Sequence, residues 1–189
     1  MNIMNLEGKK EGEPFALDKK KRKYIVKLLK NRKSKTCFEW GCGLSTKYFL
    51  SKCSDIERWI SIENNIDWYN YLKEQIDFST WEIIYVPSSV EKPKKYWWEM
   101  ENESPQKLVD YFYEYIHGID GIHPDFIFID GRARLQCLEI AYKWMKDDGV
   151  IVMDDSHRIS RNLEDWSSIL KKLKRKKIDK RLSIFMKII

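Results

Sequence analysis

Thr36-Cys37-Phe38-Glu39-Trp40-Gly41-Cys42-Gly43-Leu44-Ser45-Thr46-Lys47-Tyr48 runs from an apolar stretch, through two closely spaced glycines, into a helical pattern. Thr36-Cys37-Phe38 reads as a buried strand. Gly41 and Gly43 permit positive φ and close approach of a ligand to the backbone, and the helix that begins after them has free N–H groups in its first turn. Together these make a cofactor loop, with Glu39, Gly41, Cys42, Gly43, Ser45 and Thr46 as its binding candidates. Glu39 at the strand end supplies a carboxylate able to hold an ammonium group, so a cofactor with its own amine suits the loop better than a bare pyrophosphate. Gly-x-Gly alone is weak, because any tight strand-to-helix turn uses glycines.

Outward from the loop, short apolar runs alternate with helical patterns, which is the mark of βαβ units and a parallel sheet. Strands are expected at 36–40, 58–63, 81–86, 125–130, 149–154 and 181–188, and helices near 45–53, 66–77, 105–117, 134–146 and 162–175. A further helix starts at the cap residue Asp18, with Tyr24, Ile25, Leu28 and Leu29 as its apolar stripe. The fold class is therefore α/β: a doubly wound, mostly parallel sheet of six to seven strands with helices on both faces. Residues 1–17 read as a flexible N-terminal arm and 18–189 as one domain. Segment 88–122 is longer than a crossover needs and is rich in aromatic residues (Tyr96, Trp97, Trp98, Tyr111, Phe112, Tyr113, Tyr115), so it is expected to overhang the carboxyl ends of the strands, where ligands bind.

The second strand ends at Glu63, followed by Asn64, 22 residues after Gly41, where an acidic side chain accepts ribose hydroxyls. Both signals also fit a dinucleotide fold. Against NAD, Thr46 stands where a third glycine belongs, and Tyr69-x-x-x-Lys73 lies too early in the chain to face a nicotinamide; its ordinary role is an amphipathic helix with Tyr69, Leu72 and Ile76 inward. Ser88, past the third strand, is a candidate for an adenine edge or for capping a turn.

The fourth and fifth strands deliver Asp130-Gly131-Arg132-Ala133-Arg134 and Asp154-Asp155-Ser156-His157 to the same sheet edge. A carboxylate there needs a cation, a metal or a substrate proton as partner. Asp130, Asp154 and Asp155 form a candidate set for a divalent cation such as Mg²⁺, and Asp130, Asp154 and His157 are the catalytic candidates, His157 as general base. The competing readings are an Asp130 that caps the next helix and a His157 that lies on the surface.

In their order, Phe38-Glu39-Trp40-Gly41-Cys42-Gly43, Ile62-Glu63, Phe128-Ile129-Asp130-Gly131 and Val152-Met153-Asp154-Asp155 resemble the motifs of class I, Rossmann-like S-adenosylmethionine-dependent methyltransferases over residues 36–158. The Asp130-Gly131-Arg132-Ala133-Arg134 sequence is similar to a poorly characterised branch of that superfamily. It is also similar to the metal-dependent O-methyltransferases, in which an Asp after strand four and an Asp-Asn pair after strand five bind the ion; here Asp155 occupies the Asn place. The resemblance implies S-adenosylmethionine as cofactor and O-methylation of a small-molecule or sugar hydroxyl, a small molecule or glycan being the acceptor. Methylation of exocyclic base amines and of pyrimidine C5 is disfavoured, because no Asn/Asp-Pro-Pro-Tyr and no fourth-strand cysteine occurs. The tail departs from the family, leaving room after residue 176 for one good strand and at most a short edge.

The net charge of +6 is uneven, with 12 basic and 4 acidic residues in 1–35, 9 and 1 in 171–189, and 14 and 24 between them. Basic ends make a nucleic-acid-binding module, non-catalytic or RNA-directed, the second functional reading. Cys37, Cys42, Cys53 and Cys137 have neither disulfide nor zinc spacing and read as small core residues. With no apolar run of about 18 residues and no signal-peptide pattern, the expectation is a soluble, cytoplasmic chain without a membrane span.

Overall fold

A computed structural model describes residues 17–89, 104–161 and 163–188. Helix α1 (Lys19–Arg32) leads into β1 (Thr36–Trp40), α2 (Leu44–Lys52), β2 (Arg58–Glu63), α3 (Ile66–Gln75) and β3 (Trp81–Tyr85). There follow α4 (Pro105–His117), β4 (Phe126–Ile129), α5 (Arg134–Trp144), β5 (Val150–Met153), a 3-10 turn (Ser156–Arg161), α6 (Leu163–Leu170), β6 (Leu173–Lys177) and β7 (Ser183–Lys187). Starts are set by local chemistry: the Asp18 carboxylate accepts from the Lys20 and Lys21 amides, Asn65 from Trp68 N, and Ser104 from Lys107 N with Pro105 in the first helical place.

The strands form one sheet in the order β3-β2-β1-β4-β5-β7-β6, in which β7 runs opposite to the other six. This is the expected doubly wound, mostly parallel α/β sheet, with seven strands. Alternation along each buried strand divides the core in two. Phe38, Trp40, Ile127, Ile129, Ile151 and Met153 face α4, α5 and α6, whereas Cys37, Phe126, Phe128, Val150 and Val152 face α1, α2 and α3. On the second face Phe49, Trp59, Phe126 and Phe128 pack with ring centroids 5.8–6.0 Å apart, each large side chain contributing about 1.5–3 kcal/mol by its burial. All four cysteines are buried and free of disulfides.

The tail corrects the sequence expectation. The helix read over 162–175 ends at Leu170, and Leu173–Lys177 is instead an edge strand paired with β7, Leu173 opposite Lys187 and Lys177 opposite Ser183. Leu173 is buried and Arg175 half-buried, while Lys174 and Lys176 are exposed. The period-two pattern is hidden because an arginine takes the second inward position, and the exposed lysines protect the edge from pairing with another chain. The tail thus supplies both closing strands rather than one.

Residues 1–16 of the expected arm, and Tyr96, Trp97 and Trp98 of the aromatic segment, lie outside the described residues. The rest of that segment departs from expectation: Phe112 and Tyr115 sit in the core between α4 and the sheet, and exposed Tyr113 stacks on His117. Strand order reverses between β1 and β4, so their carboxyl ends flank the crevice where open α/β sheets take ligands. Among the described residues no helix is long and apolar enough to cross a membrane.

Candidate functional site

The two glycines of the loop do different things. Gly41 has φ +79°, and a Cβ there would overlap the Asp130–Gly131 turn, lying 2.6 Å from Gly131 N, so Gly41 is needed for the backbones at the ends of β1 and β4 to cross in contact. Gly43 is extended, with φ −159°, and a Cβ there would meet only Ser45 Oγ at 3.6 Å. Among the described residues nothing requires a glycine at 43, which stands at the N-terminus of α2. Cys42 turns its side chain into the core, and its carbonyl accepts the indole N–H of Trp68 at 2.8 Å, which ties the loop to α3. Ser45 and Thr46 are buried in the first turn of α2.

Glu39 is corrected by the structure. Its side chain points to the α2 face of the sheet, fully buried, and its carboxylate accepts from Trp59 Nε1 at 3.0 Å, Ser61 Oγ at 2.8 Å and Thr46 Oγ1 at 2.8 and 3.0 Å. Ser61 in turn accepts from Trp81 Nε1, and Thr46 Oγ1 accepts from the Gly43 amide at 3.4 Å. Burial pushes the Glu39 carboxyl up to about 8, against the pull of these three donors. Glu39 does not stand free for an ammonium group; it braces the glycine loop through Thr46.

Glu63 closes β2 across from the loop. It is 6% exposed, and both local bonds fall on one oxygen: Oε1 accepts from the amides of Asn64 at 2.9 Å and Asn65 at 2.8 Å. Burial lifts its carboxyl to about 7, opposed by those two amides and by the charge of Arg132. Arg132 is half-buried, and burial lowers its basicity against the charges of Glu63 and Asp130. Ser88 is half-buried past β3, and its neighbour Ser89 donates its amide to the Tyr111 carbonyl of α4.

Asp130, Asp154 and Asp155 do converge, around cations. Arg134 Nη2 lies 3.3 Å from Asp130 Oδ1 and 3.7 Å from Asp155 Oδ2, and also donates to the Asp130 carbonyl. Asp155, at left-handed φ 54°, is further held by Arg158 Nη2 at 2.8 Å and by Arg181, whose Nε donates at 2.6 Å and whose Nη2 pairs with the same oxygen. Asp154 pairs with Lys21 Nζ of α1 at 2.6 Å, and both side chains are 7% exposed. These donors do not fit a divalent ion: each carboxylate already has a cation, and among the described residues no group of three or more His, Cys, Asp or Glu side chains is arranged to hold a metal. Burial, with Asp154 and Asp155 adding to it, holds Asp130 above the usual carboxylate range against the pull of Arg134. Asp130 does not cap α5, since left-handed Ala133 occupies that place without a side-chain bond. His157 Nδ1 stands 3.9 Å from Asp155, too far for a hydrogen bond, and makes none among the described residues.

Lys21, Trp68, Arg158 and Arg181 are site residues that sequence reasoning missed. For Lys21 a signal existed: it lies four residues before Ile25 and eight before Leu29, on the buried stripe of α1.

No protein-family model matches the chain, and no curated protein matches it by sequence. Solved structures do match. A putative caffeoyl-CoA O-methyltransferase from Staphylococcus aureus is 17% identical, with TM-score 0.62 over 91% of this chain and 85% of that one. The O-methyltransferase from Bacillus cereus, solved in complex with SAH, is 13% identical, with TM-score 0.63 over 89% and 80%. The O-methyltransferase TomG from Streptomyces achromogenes, solved in complex with SAM, is 12% identical, with TM-score 0.59 over 91% and 81%. At such identities the likeness is one of fold.

Proposed function

We propose that the chain is an S-adenosylmethionine-dependent methyltransferase that O-methylates a small-molecule or sugar hydroxyl. The observation that carries this is the pairing of Gly43 with Glu63. A glycine that nothing among the described residues requires stands at a helix N-terminus at the switch point of the sheet, and across from it stands a buried carboxylate with one oxygen fixed by backbone amides. The O-methyltransferases of like fold, two of them solved with SAH or SAM, support the same reading.

Bound there, S-adenosylmethionine supplies an electrophilic sulfonium methyl. Glu63, anchored through Oε1, accepts the ribose hydroxyls with its remaining oxygen, and the first-turn amides of α2, with Cys42, Gly43 and Ser45 around them, take the amino-acid end. Thr46 and Glu39 hold that loop from below, and Asn64 and Ser88 flank the nucleoside. Asp130, held toward the neutral range at the tip of β4, would take the proton released by the acceptor hydroxyl. Asp154 and His157 line the acceptor side. No step passes through a metal.

Isothermal titration calorimetry of the full chain with SAM, SAH and NADH tests the reading. One binding heat for SAM and SAH and none for NADH is expected. Binding of neither at about 1 mM ligand, or a preference for NADH, overturns it. A steeply salt-dependent affinity for RNA beside absent SAH binding would instead favour the nucleic-acid module.

A further inference from the structure

The Lys21–Asp154 pair joins residues 133 positions apart, and both side chains are almost wholly enclosed. A run of five basic residues, Lys19 to Lys23, would normally lie in solvent, yet Lys21 and Arg22 are buried while Lys19, Lys20 and Lys23 are exposed. Helix α1 is fixed in this orientation at several points: Asp18 caps it, Ile25 and Leu29 enter the core beside Leu17, and Arg22 lies over the Tyr48 ring of α2. The ammonium of Lys21 is therefore placed by the fold, at the tip of β5. An ion bound to Asp154 would have to displace a partner 2.6 Å away, while Arg134, Arg158 and Arg181 neutralise neighbouring Asp155 and leave Lys21 as the cation on Asp154 itself.

We propose that Lys21 is the resident cation of this site: its ammonium stands at Asp154 where the metal-dependent relatives of the sequence pattern hold a divalent ion, and the chain works without one. Lys21 here is a positioning residue, holding the Asp154 carboxylate in place on the acceptor side. The proposal rests on the methyltransferase reading only for what the site is used for; the occupancy of Asp154 can be decided without it.

The test uses Mn²⁺ as probe, counting bound ion by loss of its six-line electron paramagnetic resonance signal, on the full-length wild type, Lys21→Met, and Lys21→Met combined with Asp154→Asn. Each sample is melted to show that it folds and titrated with SAH. The wild type is expected to leave Mn²⁺ free, Lys21→Met to gain one site per chain with Kd below about 1 mM, and the double variant to lose it again. Where Lys21→Met does not fold, Lys21→Gln, polar and uncharged, gives the same readout. A wild-type site for Mn²⁺ that Asp154→Asn removes would overturn the proposal. So would a folded, uncharged variant at Lys21 that stays indifferent to Mn²⁺, since Lys21 would then be a structural pair and nothing more. Absence of an SAH heat in every sample would sink the methyltransferase reading while leaving the Mn²⁺ outcome to decide this one.

Discussion

Glu63→Gln isolates the contact that most directly ties this fold to a nucleoside. The substitution keeps the size of the side chain and its carbonyl oxygen, which continues to accept from the Asn64 and Asn65 amides as Oε1 does now. The other end then presents an NH₂ group where the ribose hydroxyls need an acceptor. A hydrogen bond to a charged group is worth about 1.5–3 kcal/mol, and replacing it with a donor facing a donor loses at least that. At about 1.4 kcal/mol per decade, Kd for SAH should weaken about 10- to 100-fold with no comparable change in melting temperature. The proton adds an independent check. Burial holds the Glu63 carboxyl near 7, so at pH 6 most of it is protonated and at pH 8 most is ionised. If the ionised form is the acceptor, the wild type should bind SAH about tenfold more tightly at pH 8 than at pH 6, and Glu63→Gln should lack that dependence. Calorimetry at the two pH values reads both effects. A Glu63→Gln protein that binds SAH within twofold of wild type, with the same pH profile, would refute the ribose assignment.

The remaining predictions test the loop. Gly43→Ala should fold and melt like wild type but bind SAH more weakly, because among the described residues its methyl meets only Ser45 Oγ, at an ordinary contact distance; undiminished affinity would count against a ligand at that place. Gly41→Ala should lose about 2 kcal/mol or more of stability, from the left-handed backbone and the overlap with Gly131, and chemical denaturation measures it. Trp68→Phe removes the indole bond to the Cys42 carbonyl and should weaken SAH binding by about 1 kcal/mol, with a smaller effect on melting, as a paired titration and melt would show. Glu39 binds its proton more tightly folded, near 8, than unfolded, so its contribution is full below about pH 4.5 and is lost as the pH rises toward 8; Glu39→Gln should flatten that decline by up to about 1.4 kcal/mol per pH unit, and an unchanged slope in urea melts across pH 5–8 would contradict its burial as a carboxyl.

What local chemistry controls was legible in the sequence. The Asp18 cap, the apolar run of Phe126-Ile127-Phe128-Ile129 and the turn at Gly41 all depend on neighbours within a few residues, and the five elements from β1 to β3 fall within two residues of their expected ends. β6 was illegible for the same reason. Leu173-Lys174-Arg175-Lys176-Lys177 has acceptable helix propensity, and only its pairing with β7, ten residues on, makes it a strand.

The site was legible in its residues and not in their partners. Sequence order places Glu39, Asp130, Asp154 and Asp155 at strand ends and shows that four acids meet near one edge, yet a strand end has two faces, and a shift of one residue decides between crevice and core. Glu39 goes to the core, beneath α2, where three side-chain donors hold it. The meaning of the other acids depends on what neutralises them, and beside Arg134 and Arg158 two of the neutralising groups come from the two ends of the chain, Lys21 from α1 and Arg181 from the turn before β7. This gives the uneven charge of the sequence a structural consequence. The basic termini surround an acidic body, and at least these two of their cations are folded back onto its carboxylates, so that a pattern suggestive of a metal becomes a set of internal ion pairs whose undoing, at Lys21, is what would expose a place for one.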